Sequence, residues 1–166
     1  MNSPLYYEFK WSLFAIFCFM AIALLPIPAQ AGTEGQPAAV VTFTTQYDFN
    51  TLLGRLEEAV TKNDMLVVAK ASASAGAEKR GIKIRGDAVI LVFRNDFAVR
   101  MLQANTEAGL DAPIPIHVFE AADGSTHIAY RRPSAVFRPY HADALDKMAR
   151  EMDPIFERIV AQAATK

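Results

Sequence analysis

Three histidines, His117, His127 and His141, and one glutamate, Glu120, are the residues of this chain best suited to hold a metal or move a proton. Imidazole and carboxylate supply the nitrogen and oxygen donors that zinc and other transition metals accept. Their mutual placement depends on Asp123-Gly124, a dipeptide whose positive φ suits a hairpin turn. A two-residue turn sets Glu120 opposite His127. It also sets His117 opposite Tyr130 and sends it to the other face of the hairpin. A three-residue loop with a bulge shifts this pairing, and the sequence admits both. No H-x-H or H-E-x-x-H spacing is present. The four residues are therefore weak metal candidates, and an exposed Glu120–His127 ion pair, worth at most about 1 kcal/mol, is the preferred reading.

Arg131, Arg132, Arg138, Tyr140 and His141 surround two prolines. Guanidinium forks suit carboxylate or phosphate, so Arg131, Arg138 and Tyr140 are ligand-binding candidates; a solvated loop facing Asp143 and Asp146 is the plainer alternative. Lys79, Arg80, Lys83 and Arg85 form a similar basic run, read by default as a solvated edge. Asn95, Gln103 and Asn105 bracket a short helix, where their amides either line a pocket or cap the helix ends. There is no G-x-S-x-G, and Ser125 and Ser134 are near His127 or His141 only in sequence. Phosphate-cradling glycine motifs are absent.

These residues need a scaffold, and the apolar periodicity supplies one. Val40–Thr45 is rich in β-branched residues and reads as a strand. Asp48 stands as N-cap before Phe49, Leu52, Leu53, Leu56, Ala59 and Val60, whose spacing predicts a helix over 49–62 with Arg55, Glu57, Glu58 and Lys62 outward. Met65–Ala69 is a second strand, and a short helix closes at Gly81. Ile82–Gly86 is an extended connector, and Ala88–Phe93, continuously apolar rather than alternating, suits a strand covered on both faces. Phe97, Met101 and Leu102 predict a helix capped at Asn95 or Asp96, followed by an irregular exit to Pro113 and Pro115. Strands over 116–121 and 126–131 flank the turn. A loop follows Pro133, then a final helix capped by Asp143. Its stripe from Leu145 to Ala163 stays in phase across Pro154, which predicts a kink or a second cap at Asp153. Hairpins mixed with helices indicate an α+β domain over 40–166, a mainly antiparallel sheet covered on one face by helices.

The chain has 166 residues and a net charge of −1, which gives no electrostatic mandate for nucleic acid. Its apolar surplus lies at the N-terminus. Lys10, the apolar run Trp11–Leu25 and Ala29-Gln30-Ala31 make up the parts of a secretory signal peptide over 1–31. A retained anchor is the alternative, although the run falls short of the roughly 20 residues a span needs. Residues 32–39 form a flexible lead. Cys18, the only cysteine, sits in the leader, so the exported domain has no disulfide framework.

The run from Val89 to Pro133 resembles the bacterial domain-of-unknown-function 302 family. The matching segments are Phe93-Arg94-Asn95-Asp96, Met101-Leu102-Gln103-Ala104-Asn105, Leu110-Asp111-Ala112-Pro113, Val118-Phe119-Glu120-Ala121-Ala122-Asp123-Gly124 and Tyr130-Arg131-Arg132-Pro133. Arg94 and Asp96 stand where the family tends to have Gly and Pro. If that turn approaches a ligand by its backbone, Arg94 would crowd it. The resemblance implies a saddle-like, helix-backed antiparallel sheet, often a dimer, and no catalytic residues. The expectation is a periplasmic or secreted, non-enzymatic module of unknown function that binds a small ligand or a protein. It uses no cofactor, nucleic acid or membrane once the signal is cleaved, and its free sheet face forms a homodimer. The alternative is a metal-assisted or hydrolytic enzyme built on the hairpin His and Glu residues.

Overall fold

The apolar stripe of Leu52, Leu56, Ala59 and Val60 forms one side of helix α1 (Phe49–Lys62), and all four are buried. Asp48 caps it by accepting from Thr51 N at 3.0 Å. The computed structural model describes residues 40–165; the expected leader and flexible lead lie outside the described residues. Five antiparallel strands, β1 (Val40–Thr45), β2 (Leu66–Ser72), β3 (Asp87–Phe93), β4 (Ile114–Glu120) and β5 (Thr126–Arg131), are ordered β1-β5-β4-β3-β2. Along β3, β4 and β5 every second side chain is buried, as a sheet with one dry face requires, so the continuously apolar β3 is covered on one face and not on both. The dry side carries Ala88, Ile90, Val92, Ile114, Ile116, Val118, Ile128 and Tyr130.

Helix α5 (Asp143–Ala164) covers that face beside α1, burying Leu145, Met148, Ala149, Met152, Phe156, Ile159, Val160 and Ala163. Each large apolar side chain so buried stabilises the fold by about 1.5–3 kcal/mol. Arg55 does not face solvent as the helix pattern predicts. Its guanidinium donates to the carbonyls of Ala163 (2.9 Å), Gln162 (3.0 Å) and Thr165 (2.6 Å), over the Tyr47 ring. A cation on the orphan carbonyls of a helix C-terminus offsets its partial negative charge.

Several local expectations change. Strand β2 runs on to Ser72, with a bulge between Val67 and Ala69. Ser72 then caps α2 (Ala73–Glu78) by accepting from Ala75 N. Helix α3 (Asn95–Ala104) is preceded by Arg94 and has no side-chain cap, so Asn95 and Asp96 are its first residues instead. The stretch expected to be irregular is a 3₁₀ helix, Thr106–Asp111. The loop after Pro133 is α4 (Pro133–Phe137) followed by a 3₁₀ turn, Arg138–Tyr140. Ala142, not Asp143, precedes α5, and α5 continues through Pro154 as one helix. Asp153 does not recap it. Its carboxylate accepts from Ser134 N (2.9 Å) and Ser134 Oγ (2.6 Å), tying the first turn of α4 to α5.

The connector 82–86 is held where it meets β3. Gly86 O accepts from Glu120 N at 2.9 Å, and Gly86 N donates to Glu120 Oε2 at 2.5 Å. A Cβ at residue 86 would collide with Phe49 Cγ and lie 2.6 Å from its Cδ2. Gly86→Ala is expected to lower stability by about 1–3 kcal/mol through overpacking, read as a reduced urea midpoint at unchanged slope.

Candidate functional site

Among the described residues, nothing covers the face of the sheet away from the helices. Leu66 is 59% exposed, Val40 53% and Val68 50%. Val89, Leu91, Phe93 and Phe119 are only half-covered. Large contiguous apolar patches on a protein surface mark contact sites. At one end of this face lies the row Asp87–Phe119–His127–Thr44, set by the pairings Asp87↔Phe119, Phe119↔His127 and Thr44↔His127. His117 lies in the next row, opposite Val89 and Ala129.

The hairpin register is the three-residue alternative. Ala121 N donates to Ser125 O (2.8 Å), which closes the ladder around Ala122-Asp123-Gly124, with Gly124 at φ 85°. Asp123 Oδ1 accepts from both Ser125 N (2.9 Å) and Ser125 Oγ (2.6 Å), and this side-chain turn selects the longer loop. Glu120 therefore pairs with Thr126, and His127 with Phe119. The slip of one residue reverses the faces. His117 and His127 now share the open face, and Glu120 points the other way, to Gly86 N. The expected Glu120–His127 ion pair does not form.

Both imidazoles stack on Phe119, His117 at 4.8 Å and 24°, His127 at 5.1 Å and 19° between ring planes. Offset aromatic stacks of this kind are favourable by about 0.5–1.5 kcal/mol. Each imidazole is also pinned by hydrogen bonds. His117 Nε2 donates to Asp87 Oδ2 at 2.8 Å. His127 Nε2 lies 2.7 Å from Ser125 Oγ, and its Nδ1 lies 3.1 Å from Thr44 Oγ1. Ser125 has one hydroxyl proton, and the acceptor-only carboxylate of Asp123 claims it. His127 Nε2 is then the donor to Ser125 Oγ, and Thr44 Oγ1–H donates to Nδ1. This direction is opposite to the one that activates a serine nucleophile, which must give its proton to the imidazole. Ser125 and His127 thus meet in space as well as in sequence, but in a positioning network.

The remaining candidates do not join this network. His141 lies at the end of the 3₁₀ turn with φ 50° and is exposed. Tyr140 OH donates to Asp111 Oδ2 at 2.6 Å, which raises the phenol above its usual range. Arg131 projects from the open face opposite Val40, Arg132 pairs with Glu157 on α5, and Arg138 is exposed. Burial, with Glu157 nearby, pushes the Tyr130 phenol up to about 12. Asn105 accepts from Glu107 N (2.8 Å) and so caps the 3₁₀ helix, while Asn95 and Gln103 are exposed. The Arg94 guanidinium lies on Asp96 (2.6 Å) and over the Phe97 ring. Among the described residues no group of three or more His, Cys, Asp or Glu is placed to hold a metal ion. Asp87, Phe119 and Thr44 escaped the sequence reading; the only sequence signal was the H-x-F spacing of His117 and Phe119, which shares a face in any register.

Fold and open face together define a two-layer α+β domain with one sheet surface uncovered among the described residues. The family model for the domain of unknown function DUF302 matches residues 41–163, and the chain belongs to that family. The crystal structure of an uncharacterized conserved DUF302 protein from Bacillus stearothermophilus is similar in fold. Its TM-score is 0.69 at 19% identity, over 76% of this chain and 99% of that one. Comparison with curated proteins gives no match.

The two hydrogen bonds from Ser125, its hydroxyl first, hold the Asp123 carboxyl below its ordinary value of 3.8. A carboxylate depressed in this way stabilises the turn above its unfolded pKa, and the contribution is lost as pH falls through the lower folded value. Ser125→Ala is expected to move the Asp123 midpoint up toward 3.8, measured by NMR titration of the side-chain carboxyl carbon.

Proposed function

We propose that this protein is an exported, non-enzymatic binding module whose working surface is the open face of its sheet, and that the face first engages a second copy of the chain. The observation that carries this reading is the row Asp87–Phe119–His127. It reads acid, aromatic, base across three adjacent strands, with β4 at the centre of the five. A two-fold axis along β4 lays β3 of one copy over β5 of the other. Phe119 then meets Phe119 of the second copy and Val89 meets Ala129, with Asp87 and His127, each already hydrogen-bonded within its own chain, facing one another beside them. Isologous contacts need this kind of self-complementary patch. The pinned His-Phe-His stack supports the same reading, because a rigid surface loses little side-chain entropy on binding.

Export rests on the leader sequence. Among the described residues no helix is long and apolar enough to cross a membrane. The enzymatic alternative gains no support, because His117, Glu120 and His127 are each committed to a different partner.

Sedimentation velocity of the protein released from the periplasm is expected to show a dimer at high micromolar concentration. Val89→Asp, which buries a charge against Ala129 of the second copy, is expected to return it to monomer. A wild-type monomer at that concentration would sink the dimer reading. Intact mass of the same sample is expected to correspond to a chain beginning at Gly32, and full-length protein held at the membrane would replace export with anchoring.

A further inference from the structure

We infer that proton uptake by His117 and His127 opens the face-to-face dimer, so that pH sets association; this rests on the dimer proposed above. Histidine is the side chain whose charge ordinarily changes between about pH 5 and 8. As a neutral imidazole, His127 uses both ring nitrogens, Nε2–H on Ser125 Oγ and Nδ1 on the Thr44 hydroxyl proton. A proton added at Nδ1 puts two hydrogens between that nitrogen and Thr44 Oγ1, so the hydroxyl must turn and donate elsewhere. His117 already gives Nε2–H to Asp87, so its added proton also enters at Nδ1. In a single copy water meets these needs, since the His117 and Asp87 side chains are 39% and 40% exposed.

A second copy takes that water away. The two-fold axis along β4 sets His117 against His117 of the second copy, two residues along the strand from the Phe119 pair. Two imidazoliums placed there repel, and a charge covered without a partner is costly.

The fixed charges do not compensate. Beside the imidazoles stand Asp87 on β3, Glu120 on β4 and Asp123 in the turn, with Lys83 and Arg85 on the connector and Arg131 on β5. Helix α2 reaches the His117 groove only through Ala73, and α1 and α5 pack on the other side of the sheet. Three carboxylates and three cations balance while both imidazoles are neutral, so protonation leaves two unmatched positive charges on each copy. Asp87 of the second copy faces His127, but it already accepts from the histidine of its own chain. One carboxylate does not neutralise two imidazoliums. The dimer therefore binds fewer protons than two separate copies. Its stability is complete above the range in which histidine titrates and is lost as pH falls through that range.

The test is sedimentation velocity over a concentration series at about pH 8 and about pH 5.5, on either side of the histidine range. It compares wild type with His117→Gln combined with His127→Gln, whose amides donate but do not titrate. Wild-type Kd is expected to rise at least about tenfold at the lower pH, and the double variant is expected to show no such rise. Diluting concentrated wild type in weak buffer at about pH 6.5 is expected to raise the pH, because dissociation takes up protons. Far-UV circular dichroism is expected to be the same at both pH values. A wild-type Kd that is equal or tighter at the lower pH would overturn the inference and leave the dimer standing. Dissociation that persists in the double variant, comes without proton uptake, or accompanies loss of the dichroism signal would overturn it too. A wild-type monomer at the higher pH would remove the dimer itself, and the inference with it.

Discussion

A sheet with one dry face and one wet face imposes a single register on every strand it contains. Burial of alternate residues along β3, β4 and β5 leaves no freedom to slide: a shift of one residue would carry Ile90, Ile116 and Ile128 to solvent. Helices α1 and α5 create that asymmetry by covering the same face side by side. Arg55 holds their ends together through three carbonyls of the α5 C-terminus. The position of every open-face residue, from Thr44 to Leu66, follows from what the opposite face had to bury.

The same constraint explains the polar groups of the open face. A sheet surface that is half apolar would leave imidazoles free to rotate, yet here each is held. His117 is tied to Asp87, His127 is tied to Ser125 and Thr44, and Phe119 lies between them. Asp87 and Thr44 come from strands distant in sequence, whereas Ser125 and Phe119 stand two residues from the histidines they hold. Fixing them costs side-chain entropy that folding offsets once, so a partner arriving at this face meets an ordered surface. The network also settles the direction of the protons. An acceptor-only carboxylate at Asp123 turns Ser125 and His127 away from nucleophile chemistry and into support for the turn.

Family membership and the shared fold of the Bacillus stearothermophilus protein fit this picture of scaffold first and surface second. Two parts of the molecule lie outside the packing logic of the core, the apolar open face and the unpaired connector 82–86. Nothing in the hydrophobic ledger of the domain requires Lys83 or Arg85 to be where they are. Their placement follows from Gly86, whose missing side chain lets the connector pass over Phe49, and from Glu120, which clamps it.

The sequence by itself determined most elements and the buried sides of the two long helices. The stripes of α1 and α5, the strand at 40–45, the glycine stop at Gly81 and the α+β class were legible because local periodicity reports which side of an element meets the core. Tertiary structure alone decided the rest. Arg55 looked solvent-facing because nothing local reveals that another helix ends above it. Asp153 looked like a cap for its own helix, yet it serves α4. The hairpin register turned on whether Asp123 would accept from Ser125, a difference of one residue that moved Glu120 off the histidine face and brought His117 onto it. Periodicity is a property of one segment, whereas a site on a sheet is made by residues of several strands. Their juxtaposition exists only after the register of each strand has been chosen by the core beneath it.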